Sequence, residues 1–591
     1  MHTPLPVQQS SGRALRSQPR APQGGRGSVL GRARGILRRA ITASRFSLDP
    51  EMLTAAAVLG GVLVVGLATA ADYGISIDEF NADDYGPKAL AWYTSGFTDR
   101  SHFENVEFSL WYYGPWFQIL AAYVQSFKLA DSFAVRHALT FLVGLGGVAA
   151  LLPIGRLAAG PWAGTAAIVL CLITGYFYGN LFFAPIDVPF MAAMTWATLA
   201  ILVLIRKPVP SWRATIMTGL CAGLALGTRT GGLILQAYLL LGLTLGAIEF
   251  AAGHGRLRLP FVLALAARYG VAVGLAWLVA IAIWPWLQVG NPFEQFRIAL
   301  VYFATIPVAF DVAHWGERLF ANALPPSYIL AQLLARLPLA FLGLLAVAVI
   351  AALASTCRLL LKAMMSWRAN RSVRPLCLLL AQKRAILIIW AAVISPLAFL
   401  IVQRATLYDG VRHVLFVVPM LAIIAGAGAT VLLPWLRRRP VIAMAVAAIA
   451  GAYTAGAELT FGILHPLEYV AMNALVGGTY GAYGRFDLDY WSVAAKPALR
   501  RLEERLDYDR SIAWNEAPPS LVICIPWREW GVGPMLRRPW KLETDPYKGD
   551  YVIVTERARA HCASGTGLDL IDEVKRFGRT FAWTYRRRSA Q

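Results

Sequence analysis

Residues 52–70 read MLTAAAVLGGVLVVGLATA, nineteen positions without one charged side chain. A helix needs about 20 mostly apolar residues to cross a hydrocarbon layer, so this stretch is a candidate span. Ten runs of the same kind follow, at about 134–152, 163–178, 188–205, 214–228, 232–250, 268–286, 333–355, 385–402, 413–433 and 441–460. They account for the composition: 57% of the 591 residues are hydrophobic and only 15% are charged, against roughly 25% charged in a soluble domain. That much apolar sequence has to be covered by lipid. The composition excludes a disordered chain, a disulfide scaffold and a typical cytosolic enzyme. It predicts an all-α polytopic membrane protein of about eleven spans.

The charge distribution sets an expected topology. Lys and Arg number 55 against 34 Asp and Glu, a formal net charge of +21. Nine arginines and no acid fall in residues 1–46. Seven bases and no acid fall in 356–384. Arg437, Arg438 and Arg439 form a third cluster, and Arg206, Lys207 and Arg213 a fourth. Outside these clusters 33 bases nearly balance the acids. This is the positive-inside pattern, not a nucleic-acid face, and no nucleic-acid partner is expected. We expect three parts: a disordered basic cytoplasmic arm (1–46), a transmembrane domain (47–460) with an outer loop at 72–133, and an outer-side C-terminal domain (461–591). The long basic region before the first apolar run favours an uncleaved span over a signal peptide. In the C-terminal part, a helix-like run at 493–506 precedes strand-like runs at 521–525 and 551–555, which predicts a small α/β domain. Cys524 and Cys562 lie in it and either pair, if it faces an oxidising compartment, or remain free thiols. Gly219, Gly223 and Gly227 form a small-xxx-small ladder for close helix approach.

Chemistry-bearing residues gather where spans are expected to reach the outer side. Asp78 and Glu79 follow the first span. A carboxylate there can accept a proton from an attacking hydroxyl, and its neighbour can orient it or hold a metal. A capped interfacial helix with acids in its first turn explains them equally. Trp111-Tyr112-Tyr113-Gly114-Pro115-Trp116 supplies interface anchors, or rings such as Tyr113 that stack on a sugar. Asp187, two residues before Pro189, reads as a helix N-cap or as a site carboxylate in the next outer loop. Arg229 ends the fifth apolar run, and Arg404, Arg412 and His413 lie around the last short outer loop. Arginines on that side run against the positive-inside trend. They either snorkel or bind an anion, since the guanidinium fork matches a phosphate. No Walker A motif, dinucleotide fingerprint, nucleophile elbow or metal-spaced histidine pair occurs in the sequence.

Together these motifs resemble the GT-C superfamily of polyprenyl-phosphate-dependent glycosyltransferases, in its protein O-mannosyltransferase and aminoarabinose-transferase branch. Asp78-Glu79 matches an Asp-Glu motif in the first outer loop. The run from Ala184 to Phe190 is similar to a Pro-x-Asp-x-Pro-Phe pattern in the second, with Ile186 where a lysine is common. Tyr408-Asp409-Gly410-Val411-Arg412-His413 is similar to the Tyr-x-Gly-x-Arg-His start of a late span. The resemblance runs over about 50–495, including Gly477-Gly478 and Asp489-Tyr490-Trp491.

The resemblance implies a multi-pass protein of a cell (inner) membrane, its N-terminus cytoplasmic and its C-terminal domain periplasmic or extracellular. It implies transfer of a sugar from a polyprenyl-phosphate donor to a lipid, glycan or protein acceptor. In that reading Asp78 is the base. Glu79 and Asp187 are orienting or metal-binding groups. Arg229, Arg404, Arg412, His413 and Tyr113 bind substrate. A divalent cation, Mg or Mn, could bridge carboxylates and phosphate, but the sequence does not demand one. The rival readings are a flippase or transporter of lipid-linked sugars and a non-catalytic membrane assembly protein. A transporter predicts an internal repeat and ionisable groups at mid-membrane, whereas the polar residues here cluster at the outer ends.

Overall fold

The computed structural model describes residues 49–104, 107–304, 310–370, 374–507, 514–515, 517–525, 529–545, 547–559, 562 and 567–588. The arm 1–46 lies outside the described residues. Among those described, nine helices are long and apolar enough to cross a membrane: Pro50–Thr69, Ser132–Ala158, Asp187–Leu204, Thr230–His254, Leu259–Ile283, Leu339–Arg368, Arg384–Val402, Arg412–Arg437 and Pro440–Leu464. The other two expected spans differ in kind. The run at 163–178 is a broken pair, Ala163–Leu172 and Gly175–Phe183, bent by 72°. A Cβ at Gly175 would lie 2.6 Å from that of Ala471, so glycine lets the segment after the last span close over the bend. The run at 214–228 is the shorter apolar helix Trp212–Leu226. Hydropathy marks apolar length but not a bend, so all eleven runs looked alike in sequence.

Burial separates the helices by layer. The apolar window of Asp187–Leu204 is 83% buried, whereas that of Pro440–Leu464 is 0% buried. The first is a central helix, apolar on every side because every side meets protein. The second exposes its apolar side chains, a surface that only lipid can cover. The glycine ladder does what its spacing suggests. Cβ atoms at Gly219 and Gly223 would lie 2.9 Å and 2.8 Å from the carbonyl oxygens of Ala272 and Ala276. The helix Leu259–Ile283 therefore packs directly on this backbone.

The segment 72–133 is largely helical and forms Ile77–Thr94 and Trp116–Gln125. Ser76 caps the first: its hydroxyl accepts from the Glu79 N–H, and the Glu79 carboxylate accepts from the Ser76 N–H. This reciprocal capping box fixes where the helix begins. Asp311–His314 (β1) and Glu317–Phe320 (β2) form a hairpin that the sequence did not announce. Its two-residue turn, Trp315-Gly316, has φ of 57° and 94°, the twist a tight hairpin favours.

The C-terminal part has the helix Ala495–Asp507 and a five-stranded sheet of order β4-β3-β5-β7-β6. Its strands are Ser520–Cys524 (β3), Lys541–Leu542 (β4), Tyr551–Thr555 (β5), Leu568–Arg576 (β6) and Arg579–Arg587 (β7). β3 runs parallel to β4 and β5, while β7 pairs antiparallel with β5 and β6. The two expected strands are β3 and β5, both fully buried. The charged edge strand β6 lacked the apolar signal. Cys524 and Cys562 form a disulfide.

Candidate active site

A pocket open to solvent, with about 690 Å³ of space in and at its mouth, lies where the ends of these elements meet, lined among others by Asp78, Asn81, Tyr113, Arg229, Tyr408, Asp409, Arg412 and Trp491. Four separate sequence motifs thus converge on one cavity. Asp78 stands in the first turn of Ile77–Thr94, held there by the capping box. The Ser76 hydroxyl also donates to the Phe183 carbonyl at 2.8 Å, which ties this turn to the broken pair. Neighbouring side chains at a helix start diverge by about 100°, and here they part company. Asp78 faces the pocket. Glu79 is buried in the capping box, with Oε1 3.0 Å from His137 Nε2. Glu79, expected beside Asp78 as an orienting or metal-binding group, is outside the pocket lining.

Asp187 is the first residue of Asp187–Leu204, and no side-chain cap forms there. Its carboxylate takes Arg229 instead: Arg229 Nη1 lies 2.6 Å from Asp187 Oδ1. Asp187 is only 2% exposed; it sits behind Arg229, while the guanidinium reaches the pocket. Arg229 is aimed by a tight backbone contact. Gly114 N–H donates to the Thr228 carbonyl at 3.1 Å, and a Cβ on Gly114 would lie 1.4 Å from the Gly227 oxygen. Only glycine fits. The Trp116 indole adds a bond to the Thr228 hydroxyl at 2.7 Å. The aromatic loop therefore locks the turn that carries Arg229, whose guanidinium lies 5.2 Å from the Tyr113 ring centre.

Arg412 is the hub. Its Nη1 donates to Asp78 Oδ2 at 2.7 Å, and its Nε lies 3.5 Å from Asp409 Oδ2. The Tyr408 and Trp491 rings flank it, with centroids 4.8 and 4.7 Å away. Asp409 has φ of 57° and Gly410 has φ of 71°. This left-handed turn is unusual for aspartate, and it places Asp409 1% exposed beside Arg412. Asp409 also accepts from Arg557 of the C-terminal domain at 2.7 Å.

Burial pushes the Asp78 carboxyl above its ordinary range. The Arg412 guanidinium opposes that shift, while Asp187 and Asp409 add to it. For Arg229, burial disfavours the cation, but the Asp187 carboxylate and the Tyr113 hydroxyl together outweigh it and the guanidinium is held above its usual range.

Two expected substrate contacts are elsewhere. Arg404 follows the helix Arg384–Val402 with φ of 47°, is exposed and does not line the pocket. His413 sits edge-on to Tyr408, with ring centroids 4.7 Å apart, and is outside the pocket lining. Asn81, Asp409 and Trp491 lie inside the sequence motifs, which gave them no role, and Arg557 lies outside all of them. Arg557 has no local signal, because its partner lies 148 positions away. Among the described residues no group of three or more His, Cys, Asp or Glu could hold a metal ion. The pocket's carboxylates are paired with guanidinium groups, an arrangement that does not fit a Mg or Mn bridge, which the sequence allowed without demanding.

No family model and no curated protein sequence matches the chain. Among solved structures it is similar to ArnT from Cupriavidus metallidurans bound to undecaprenyl phosphate, at 15% identity and TM-score 0.44, over 89% of this chain and 97% of that one. ArnT from the same organism in the apo state gives 14% identity and TM-score 0.45, over 90% and 97%. Archaeal oligosaccharyltransferase AglB from Archaeoglobus fulgidus, in complex with an inhibitory peptide and a dolichol-phosphate, gives 11% identity and TM-score 0.39, over 84% and 69%. At such values the likeness concerns the path of the chain and carries none of the pocket's chemistry.

Proposed function

We propose that this chain is a membrane glycosyltransferase that moves a sugar from a polyprenyl-phosphate donor to an acceptor hydroxyl on the outer face of the membrane. The observation that carries this reading is the Asp78–Arg412 contact inside the pocket. It joins a proton acceptor to a phosphate-matching cation, each from a different motif. The acceptor hydroxyl attacks the anomeric carbon and its proton passes to Asp78. The bond from that carbon to the phosphate oxygen breaks, and the electron pair leaves with the phosphate. Phosphate is a good leaving group, so the step needs a base and cations rather than a strong general acid. Arg412 and Arg229 take up the charge that develops. Tyr113, Tyr408 and Trp491 offer ring faces beside the guanidinium groups, where a sugar can stack.

Glu79 and Asp187 support this chemistry from behind. Glu79 fixes the helix start that presents Asp78, and Asp187 directs Arg229. The positive-inside charge clusters favour the outer face, because they leave the pocket's motifs on the side opposite the basic loops. The test is made in cells. Without the protein, or with Asp78→Asn in its place, one polyprenyl-phosphate sugar should accumulate and its glycan product should disappear. Lipid-linked sugar pools identical to wild type would overturn the proposal.

A further inference from the structure

Besides Trp491, which lines the pocket, the C-terminal domain brings Arg557 up to the pocket wall. Arg557 lies in the turn Glu556–Ala558 that follows β5. Its Nη1 donates to Asp409 Oδ1 at 2.7 Å and to the Tyr490 carbonyl at 3.2 Å. The other Asp409 oxygen lies 3.5 Å from Arg412 Nε, and Arg412 holds Asp78. A line of alternating charge thus runs Arg557, Asp409, Arg412, Asp78. Asp409 is buried and cannot turn to water. Its backbone is fixed by the left-handed turn and by the Tyr176 hydroxyl, which donates to its carbonyl at 3.1 Å. Its charge is therefore divided between two guanidinium groups, and the nearer one belongs to the C-terminal domain.

Resting on the transferase reading, we infer that Arg557 is a positioning residue of the pocket: it holds Asp409 back from Arg412, so that Arg412 keeps its fork for Asp78 and for the donor phosphate. A buried carboxylate that loses one of two cations must lean on the other. Without Arg557, Asp409 would draw Arg412 to itself. Arg412 would then be neutralised by Asp409 and drawn off Asp78. Asp78, which Arg412, Asp187 and Asp409 all face, would lose its main cation and take up a proton more readily. The role of the C-terminal domain follows: it is built into the electrostatics of the pocket and is more than a cover.

Carbodiimide coupling tests this without donor or turnover, because the reagent reacts with protonated carboxyls. The full chain in detergent is treated near neutral pH, and coupling at Asp78 is followed by peptide mass spectrometry. Arg557→Met should couple faster, on the order of tenfold for a shift of one pK unit. Arg557→Lys, which keeps the charge, should stay near wild type. In Arg557→Met/Asp409→Asn the orphaned carboxylate is gone, and the rate should return towards wild type. Arg557→Gln carries the same expectation as Arg557→Met if the methionine variant does not fold. Equal rates in wild type and Arg557→Met overturn the inference. So does a rate raised as much in the double variant, which would mean general loosening. Titration with farnesyl phosphate separates the two readings. Wild type that does not bind it overturns the transferase proposal, while the coupling rates still decide on Arg557. If wild type binds it, Arg557→Met should bind more weakly and the double variant should recover.

Discussion

Asp78→Asn separates two effects that the Asp78–Arg412 pair combines. The substitution keeps the shape and removes the proton acceptor. Losing a general base costs about 10²–10⁴ in turnover. The second effect has the opposite sign. Arg412 lies 2.7 Å from Asp78 and 3.5 Å from Asp409, so a donor phosphate competes with Asp78 for the same fork. A charge-assisted hydrogen bond contributes about 1.5–3 kcal/mol. The Asp78 side chain is 22% exposed, so water screens part of that, and the low end applies. About 1.4 kcal/mol is tenfold in affinity. Asp78→Asn should therefore bind farnesyl phosphate about tenfold more tightly while turning over at least a hundredfold more slowly. Calorimetric titration of the purified variant and single-turnover transfer with the natural donor measure the two numbers. Turnover within a few-fold of wild type would exclude Asp78 as base. Weaker phosphate binding would mean that Arg412 needs Asp78 to hold it in place, and the idea of competition would fall.

Asp187→Asn leaves Arg229 buried without its acid and should destabilise the protein by about 3–5 kcal/mol, as removing one partner of a buried pair does; a thermal midpoint equal to wild type would show that the pair is dispensable. Arg412→Ala should weaken farnesyl phosphate binding by tenfold or more and Arg404→Ala should leave it unchanged, so equal losses would place the exposed Arg404 in the site after all. Because burial lifts the Asp78 carboxyl and a base must be ionised, activity should be full above the lifted value and fall as pH drops through it, at a less acidic pH than the ordinary carboxylate value of about 3.9. Arg412→Gln removes the cation that opposes this lift and should move the acid limb to still higher pH; a limb that stays in place rules out Asp78 as its source. For topology, a cysteine at position 101 should react with an impermeant reagent in intact cells, and reaction only after permeabilisation would reverse the expected orientation.

How far the sequence carried can be judged from particular residues. The spans were legible because apolar length is a one-dimensional property. The bend at Gly175 was not, because it depends on what packs against it. Arg229 and Arg412 were legible as cations beside apolar runs, and Asp78 as a carboxylate just beyond the first span. Glu79 looked like Asp78's neighbour in the site, because adjacency in sequence hides the angular separation of side chains on a helix. The N-cap that was one reading of Asp187 did not form, because Arg229, 42 residues on in sequence, takes its carboxylate. Asp409 was hidden in a quoted motif whose left-handed turn gives it its place. Arg557 could not be found at all, since nothing in a strand-to-turn junction signals a contact with a residue so far upstream.

The charges of the pocket can be counted pair by pair. Arg229 is matched by Asp187, Arg412 by Asp78 and Arg557 by Asp409. The six groups sum to zero, which suits a low-dielectric site where a net charge is costly. In the transferase reading the reaction keeps that sum. When the acceptor proton reaches Asp78, one negative charge disappears from the protein at the moment the leaving phosphate gains one. Arg412 loses its carboxylate partner and acquires a phosphate oxygen in its place, so the cation need not be desolvated anew. Only one of the three carboxylates can serve this exchange. Asp187 is 2% exposed and does not line the pocket, and Asp409, which does, is 1% exposed and held between two guanidinium groups. Asp78 opens on the pocket with a fifth of its side chain exposed. In the transferase reading, the geometry that lets Asp78 serve as the base leaves the other two as fixed counter-charges.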